Sequence, residues 1–334
     1  PPLPPPLALR KRTAFVGRIG ELVRLREAWV AASRGEVQAV LVGGEPGIGK
    51  TRLAAEFAHS AHAAGATVLL GRCYEEPLIA YQPFVEAFRP LLSTKEGELG
   101  ELRPLVPGLV DADEEPARTA GGPDAARFRL FESVKDALAS ASRQRPVLLV
   151  LEDLHWADAP TLLLLAHVVR ALEPARLLIV STYRDADLAP DHPLSALLAD
   201  LRRERLGERL VLRGLGEPEV AELIAASLGA DSSPALAEQV HRETGGNPFF
   251  IEEILRHVEE SGVLARGGRW DVAELGVPEG VKEVIGRRVG RLGKEAAKAL
   301  DFEQAVYGVA PGQTAVVYEG DVVVGSGVVS GSAA

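Results

Sequence analysis

Val40-Leu-Val-Gly-Gly-Glu-Pro-Gly-Ile-Gly-Lys50-Thr51 fits the spacing G-x-x-x-x-G-K-[ST], with Gly44, Gly49, Lys50 and Thr51 at the fixed positions. An apolar run, Ala39 to Val42, leads in as a strand. A run with Leu53, Ala54, Phe57, Ala58 and Ala61 at helical spacing leads out. Strand, glycine-rich turn and helix start, in that order, predict a phosphate-binding loop. Glycines let backbone N–H groups curl around phosphate oxygens without Cβ clashes. The helix N-terminus adds its partial positive charge. Lys50 is expected to reach the β- and γ-phosphates, and Thr51 to hold Mg²⁺ through its hydroxyl. The expected binding stretch is Gly44, Glu45, Pro46, Gly47, Ile48, Gly49, Lys50, Thr51 and Arg52. The competing reading is a glycine-rich turn in a chain rich in Ala, Gly and Leu.

Composition narrows the function classes. The 334 residues allow two or three domains, and an apolar content of 46% supports a real core. A net charge of −10 argues against this chain alone gripping a nucleic acid backbone, which needs a basic face. The run Leu201-Arg-Arg-Glu-Arg205 is mixed in sign and reads as a solvated helix face. A single cysteine, Cys73, excludes an internal disulfide and a thiol metal cluster, and fits a reducing cytoplasm. No apolar run approaches the ~20 residues of a membrane span, so no membrane partner is expected. There is no methionine, even at position 1, so the chain is expected to start inside a longer reading frame. It opens Pro-Pro-Leu-Pro-Pro-Pro, which reads as a semi-rigid linker at residues 1–12 rather than a packed element.

Beyond the linker, Phe15-Val-Gly-Arg18 precedes an amphipathic helix with Leu22, Leu25 and Trp29 on one face. Ala66 to Leu70 reads as a second strand, ending at Gly71-Arg-Cys-Tyr. Residues 75–126 read as helical segments joined by loops, and Arg127 to Ser142 as a helix. Val147 to Leu151 and Leu177 to Val180 are continuous apolar runs, as strands buried on both faces of a parallel sheet require. Pro160 opens a helix through Leu172, Pro193 one through Arg205, and Leu210 to Leu212 reads as a short strand. This alternation predicts an α/β fold, a three-layer α/β/α P-loop NTPase domain with a mostly parallel sheet, over residues 13–213. A helical lid follows at 214–262, with the joint Thr244-Gly-Gly-Asn-Pro248-Phe-Phe250 inside it. Residues 263–300 read as the start of a truncated winged-helix region, including a helix from Val277 to about Leu300. Residues 301–334 read as a β-hairpin tail: Thr314 to Tyr318, a turn at Glu319-Gly-Asp321, then Val322 to Val324.

Sites in such sheets gather at the carboxyl ends of the strands, where the P-loop, Glu152-Asp153 and Arg184 all fall. Hydrolysis needs one carboxylate in the Mg²⁺ shell and another to orient or deprotonate water. Glu152 is assigned to the metal and Asp153 to water, with the two roles exchangeable. The alternative is a pair of acids capping the next helix. Arg184 could sense the γ-phosphate and offset transition-state charge, or form a surface pair with Asp185 or Asp187. His155 and Trp156 read as packing residues and Cys73 as a buried small hydrophobe. Guanine-specific P-loop proteins use Asn-Lys-x-Asp. The one asparagine here, Asn247, is followed by Pro248, so ATP is expected over GTP.

These motifs together resemble the STAND-class AAA-type ATPase module, the Orc1-like kind, of large bacterial LuxR-type, SARP-type and adenylate-cyclase-linked transcriptional regulators. The matching pieces are FVGR at 15–18, VGGEPGIGKTRLAAEFA at 42–58, GRCYEEP at 71–77, YQPFVEAFR at 81–89 and RPVLLVLEDLHWADAPTLLLL at 145–165. STYRD at 181–185, TGGNPFFIEEILRH at 244–257 and VPEGVKEVIGRRVGRL at 277–292 complete them, covering about residues 12–298. The resemblance implies an ATP-driven switch: ADP holds a closed state, and ATP exchange opens the molecule for self-association. It assigns Gly44, Gly47, Gly49, Lys50 and Thr51 to phosphate and Mg²⁺, Glu152 and Asp153 to the Walker B position, and Arg184 to the sensor. Pro248, in Gly246-Asn-Pro248, is implied to lie against the adenine, with Val16, Gly17 and Arg18 on the base's other side. Glu152 departs from the family's more usual Asp, which could shift the metal and slow hydrolysis. DNA contact is implied only through a domain this chain lacks.

From Leu300 onward the sequence resembles instead the C-terminal β-barrel end of tRNA 2-thiouridylases, by Val309-Ala-Pro-Gly-Gln313 and Tyr318-Glu-Gly-Asp321. Those enzymes need a different ATP loop and two catalytic cysteines, so tRNA thiolation is rejected. The expected function is ATP–Mg²⁺ binding with slow hydrolysis to ADP as a cytoplasmic signalling switch. The alternatives are a nucleotide-binding scaffold without turnover and a small-molecule phosphotransferase.

Overall fold

The computed structural model describes residues 2–8, 14–92, 122–172, 174–188, 191–228, 234–261, 314–319 and 322–328. Five parallel strands form the central sheet: β1 (Gln38–Gly43), β2 (Thr67–Arg72), β3 (Val147–Glu152), β4 (Leu177–Thr182) and β5 (Glu208–Val211). Their order is β2-β3-β4-β1-β5. Every residue of β3 and β4 is buried, as is all of β1 after Gln38. Uninterrupted apolar runs were the signal for such strands, because both faces of a parallel sheet are covered. β5 alternates between half-buried and exposed, as an edge strand does.

Helices cover both faces: α1 (Ile19–Ser33), α2 (Lys50–Ala63), α3 (Gln82–Leu92), α4 (Gly122–Gln144), α5 (Ala159–Ala171) and α6 (Pro193–Arg203). Alternate strand residues feed two cores. Val40, Val42, Val68, Leu148, Val150, Leu178 and Val180 pack with α1 and α2 through Leu25, Leu53 and Phe57. Leu41, Leu69, Leu149, Leu151 and Ile179 pack with the other helices through Phe84, Phe88, Val134, Leu138, Leu165 and Leu197. Each fully buried side chain of this size contributes about 1.5–3 kcal/mol. Asp158 caps α5 by accepting the Thr161 N–H at 2.9 Å, with Pro160 in the first turn.

Three more helices, α7 (Glu217–Leu228), α8 (Pro234–Thr244) and α9 (Pro248–Ser261), make a third core around Val220, Leu223, Val240, Ile251 and Leu255. Val16 is buried in that core too, so the start of the domain is joined to its helical end. A separate antiparallel hairpin joins β6 (Thr314–Glu319) to β7 (Val322–Val328), with a register shift between Val317 and Tyr318. The helix expected from Val277 lies outside the described residues, as do the truncated winged-helix region and residues 93–121. Among the described residues no helix is long and apolar enough to cross a membrane.

Within the expected linker, residues 2–8 are among those described. Pro5–Leu7 forms a 3-10 turn, Leu7 is 0% exposed, and Leu3 is partly buried. Proline composition argued for a solvated spacer, but one leucine between prolines suffices to anchor the segment on α2. 

Candidate nucleotide site

Sheet order and register explain why distant residues meet. β3, β4 and β1 are neighbours, with Leu151 level with Ser181 and Val42 level with Thr182. The chain therefore leaves all three strands at one height: at Gly44, at Asp153 and at Tyr183–Arg184. A cavity of about 840 Å³ opens there. Of the expected residues, Val16, Arg18, Pro46, Gly47, Ile48, Gly49, Lys50, Thr51, Arg52, Asp153, Arg184 and Pro248 line it. Gly17, Gly44, Glu45 and Glu152 are not among its lining residues.

The loop is built as its sequence demands. Gly49 has φ +100° and starts α2, although open space surrounds its Cβ position, so backbone conformation alone requires glycine there. At Gly47, with φ +79°, a Cβ would also stand 2.7 Å from the Phe249 Cβ of the lid. Lys50 is 8% exposed, and its Nζ donates to the carbonyls of Gly44 at 2.8 Å and Glu45 at 2.7 Å. Burial first, then the Arg184 charge, pulls its pKa down to about 8, against the opposing effect of Asp153, Asp185 and Asp187. A buried amine in a glycine arch, at a helix start and beside an arginine, is a receptor for anionic oxygens.

The acids occupy different places. Arg72 and Glu152 end neighbouring strands and are register partners. Arg72 donates to Glu152 Oε2 from Nε at 3.1 Å and from Nη2 at 2.5 Å. Glu152 is 1% exposed, and its Oε1 is buried with no hydrogen-bond partner among the described residues. Such an orphaned carboxylate oxygen fits a metal or a bound water. Asp153 instead lines the cavity, in the left-handed region at φ +59°, its N–H donating to Thr182 Oγ1 at 3.1 Å. Burial raises its carboxyl above the usual range, and Arg184 opposes this. No group of three or more His, Cys, Asp or Glu poised for a metal occurs among the described residues. Mg²⁺ needs no such cage when substrate phosphates and waters supply most ligands, which leaves Thr51 and Glu152 as the candidate protein oxygens for it.

Arg184 lines the cavity, and its Nη1 lies 3.5 Å from Asp187 Oδ2, the ion pair that was the alternative reading. The guanidinium also sits 5.0 Å from the Trp156 ring. Asp185 pairs instead with Arg209, at 3.0 Å. The His155 ring is buried, 3.9 Å from Asp153 Oδ1 and 3.6 Å from Asp187 Oδ2. His155 and Trp156 thus pack, as expected, but against the charged groups of the site. Cys73 is buried, and that burial pushes its thiol up to about 12, away from the thiolate form.

Arg18 lines the cavity and is held by two partners. Its Nη2 donates to the Ile48 carbonyl at 3.0 Å, and its Nη1 pairs with Glu21 at 3.2 Å. The guanidinium thereby ties the P-loop to the first turn of α1. From the lid, Asn247 Nδ2 donates to the Pro46 carbonyl at 3.1 Å, and its Oδ1 accepts the Phe249 N–H. Arg72 and Asn247 went unassigned in the sequence. 

The AAA ATPase domain family matches residues 14–180, half the chain. The chain belongs to this family. Its strand order and its P-loop agree with an α/β P-loop NTPase. A domain of unknown function matches residues 216–264, and an aminomethyltransferase β-barrel domain matches residues 291–329. A curated relative, an uncharacterized protein of Rhizobium meliloti (strain 1021), is 25% identical over 74% of this AAA-type chain, which spans 25% of that relative. Among solved structures, a Signal Transduction ATPase with Numerous Domains protein with a tetratricopeptide repeat sensor from Pyrococcus horikoshii is 18% identical. The alignment covers 76% of this chain and 32% of that one, with a TM-score of 0.45. Domain III of the Thermotoga maritima replication initiation protein DnaA is 14% identical over 82% of this chain and 96% of its own, TM-score 0.44. The Aeropyrum pernix ORC1 protein in complex with DNA is 18% identical over 85% and 69%, TM-score 0.42. At these scores the fold rests on strand order and the family match.

Proposed function

We propose that this AAA-type module binds ATP–Mg²⁺, hydrolyses it slowly and retains ADP, serving as the switch of a bacterial transcriptional regulator. One observation carries the reading: Lys50, Thr51, Asp153 and Arg184 line one cavity at adjacent strand ends. The P-loop amides and Lys50 would take the phosphates, and Arg184 the γ-phosphoryl charge. Thr51 and Glu152, whose Oε1 has no hydrogen-bond partner among the described residues, would hold Mg²⁺, which would supply neutralisation of phosphate charge. Asp153, raised by burial, would accept the proton of a water attacking the γ-phosphorus while the bond to ADP breaks. Val16 and Pro248 would flank the base. The motif set from FVGR to GGNPFF supports the regulator role, with ATP exchange driving self-association, and the domain limits 13–213 and 214–262 go with it. Among the described residues no acceptor-binding feature favours phosphotransfer to a small molecule. Lys50→Ala tests the site: loss of ATP binding, by equilibrium dialysis, is expected, and unchanged affinity overturns it.

A further inference from the structure

We propose that Pro5–Ala8 is a wall of the nucleotide cavity, set against the nucleoside part of a bound nucleoside triphosphate and slowing its release. The inference rests on the nucleotide reading above.

Three observations carry it. Pro5, Pro6 and Ala8 line the same cavity as Lys50 and Thr51. Leu7, between them, is 0% exposed and belongs to the core that contains Leu53 and Phe57 of α2. The turn is closed by the Leu7 N–H donating to the Pro4 carbonyl at 2.9 Å and the Ala8 N–H donating to the Pro5 carbonyl at 3.1 Å. A segment anchored inward at Leu7 therefore presents its neighbours outward to the cavity, and both Pro5 and Pro6 are exposed there.

The chemistry fits a nucleoside. Phosphates belong at the Lys50 end, so the base and ribose must extend into the rest of the cavity. Proline has no N–H to leave unsatisfied against an aromatic ring. Its fixed φ also makes the wall cheap to hold in one conformation. The segment packs on the P-loop helix, so its contribution should appear in how long a ligand stays.

The test loads the full chain with radiolabelled ADP and chases it with excess unlabelled ADP. Two variants are compared with the unaltered chain: Leu7→Ala, which loosens the anchor, and the double variant Pro5→Ser/Pro6→Ser, which keeps the anchor and alters only exposed positions. Both should release ADP about three- to tenfold faster, with the association rate unchanged. If Leu7→Ala fails to fold, the serine variant decides. Release at the unaltered rate in the serine variant overturns the wall and leaves the nucleotide reading standing. Absence of ADP binding by the unaltered chain overturns both.

Discussion

Lys50 reports the site through its proton. Its folded pKa of about 8 lies below the ordinary value of 10.5. A phosphate prefers the charged amine, so affinity should be full below pH 8 and weaken as pH rises through it. Affinity for ATP should therefore fall about tenfold per pH unit above that point, until the bound-state pKa is reached. Lys50→Arg, which cannot deprotonate in that range, should lose this dependence; titration calorimetry across pH 6.5–9.5 checks it. The sign for stability is opposite: the native state binds fewer protons than the unfolded chain between about 8 and 10.5, so this group adds stability as pH rises there. The two acids should separate in assay. Asp153→Asn should bind ATP yet turn it over at least about 100-fold more slowly, as removal of a proton acceptor predicts. Glu152→Gln should weaken Mg²⁺ dependence more than nucleotide affinity, measured by titrating Mg²⁺ at fixed ATP. The acid limb of the turnover profile should lie above the ordinary carboxylate range, because Asp153 is raised.

Element packing sets the second level. The strand β2 runs so close to the start of α3 that a Cβ on Gly71 would stand 1.8 Å from the Pro83 carbonyl oxygen. Backbone cannot yield there as a side-chain tip can. Gly71→Ala should cost roughly 3 kcal/mol or more, read from the urea midpoint. Asn247→Ala removes the bond from the lid to Pro46 and should cost about 1 kcal/mol. The strands of the sheet and the helices around them were legible, because buried parallel strands are continuous apolar runs and the P-loop fixes one strand–helix junction. Partnerships between elements were not. Arg72 meets Glu152 only through a register that no local pattern encodes. Asn247 reaches Pro46 across 201 residues. The burial of Leu7 was likewise not legible, because proline composition carries no signal for a single anchoring side chain.

At the scale of the molecule, one cavity draws on the N-terminal turn, the P-loop, two strand ends and the helical lid. Such a site is complete only when these parts are packed together, so ligand and fold should stabilise one another. Saturating ADP at about 100 times its Kd should add about 2.7 kcal/mol to the unfolding free energy of this chain, and none to Lys50→Ala. The central claim is that the chain is a working nucleotide switch. The most direct measurement is acid release and identification of nucleotide from the purified chain, followed by ATP turnover beside Lys50→Ala. Retained ADP and slow turnover that vanishes in Lys50→Ala are the predicted result. A chain with neither bound nucleotide nor Lys50-dependent turnover contradicts the account.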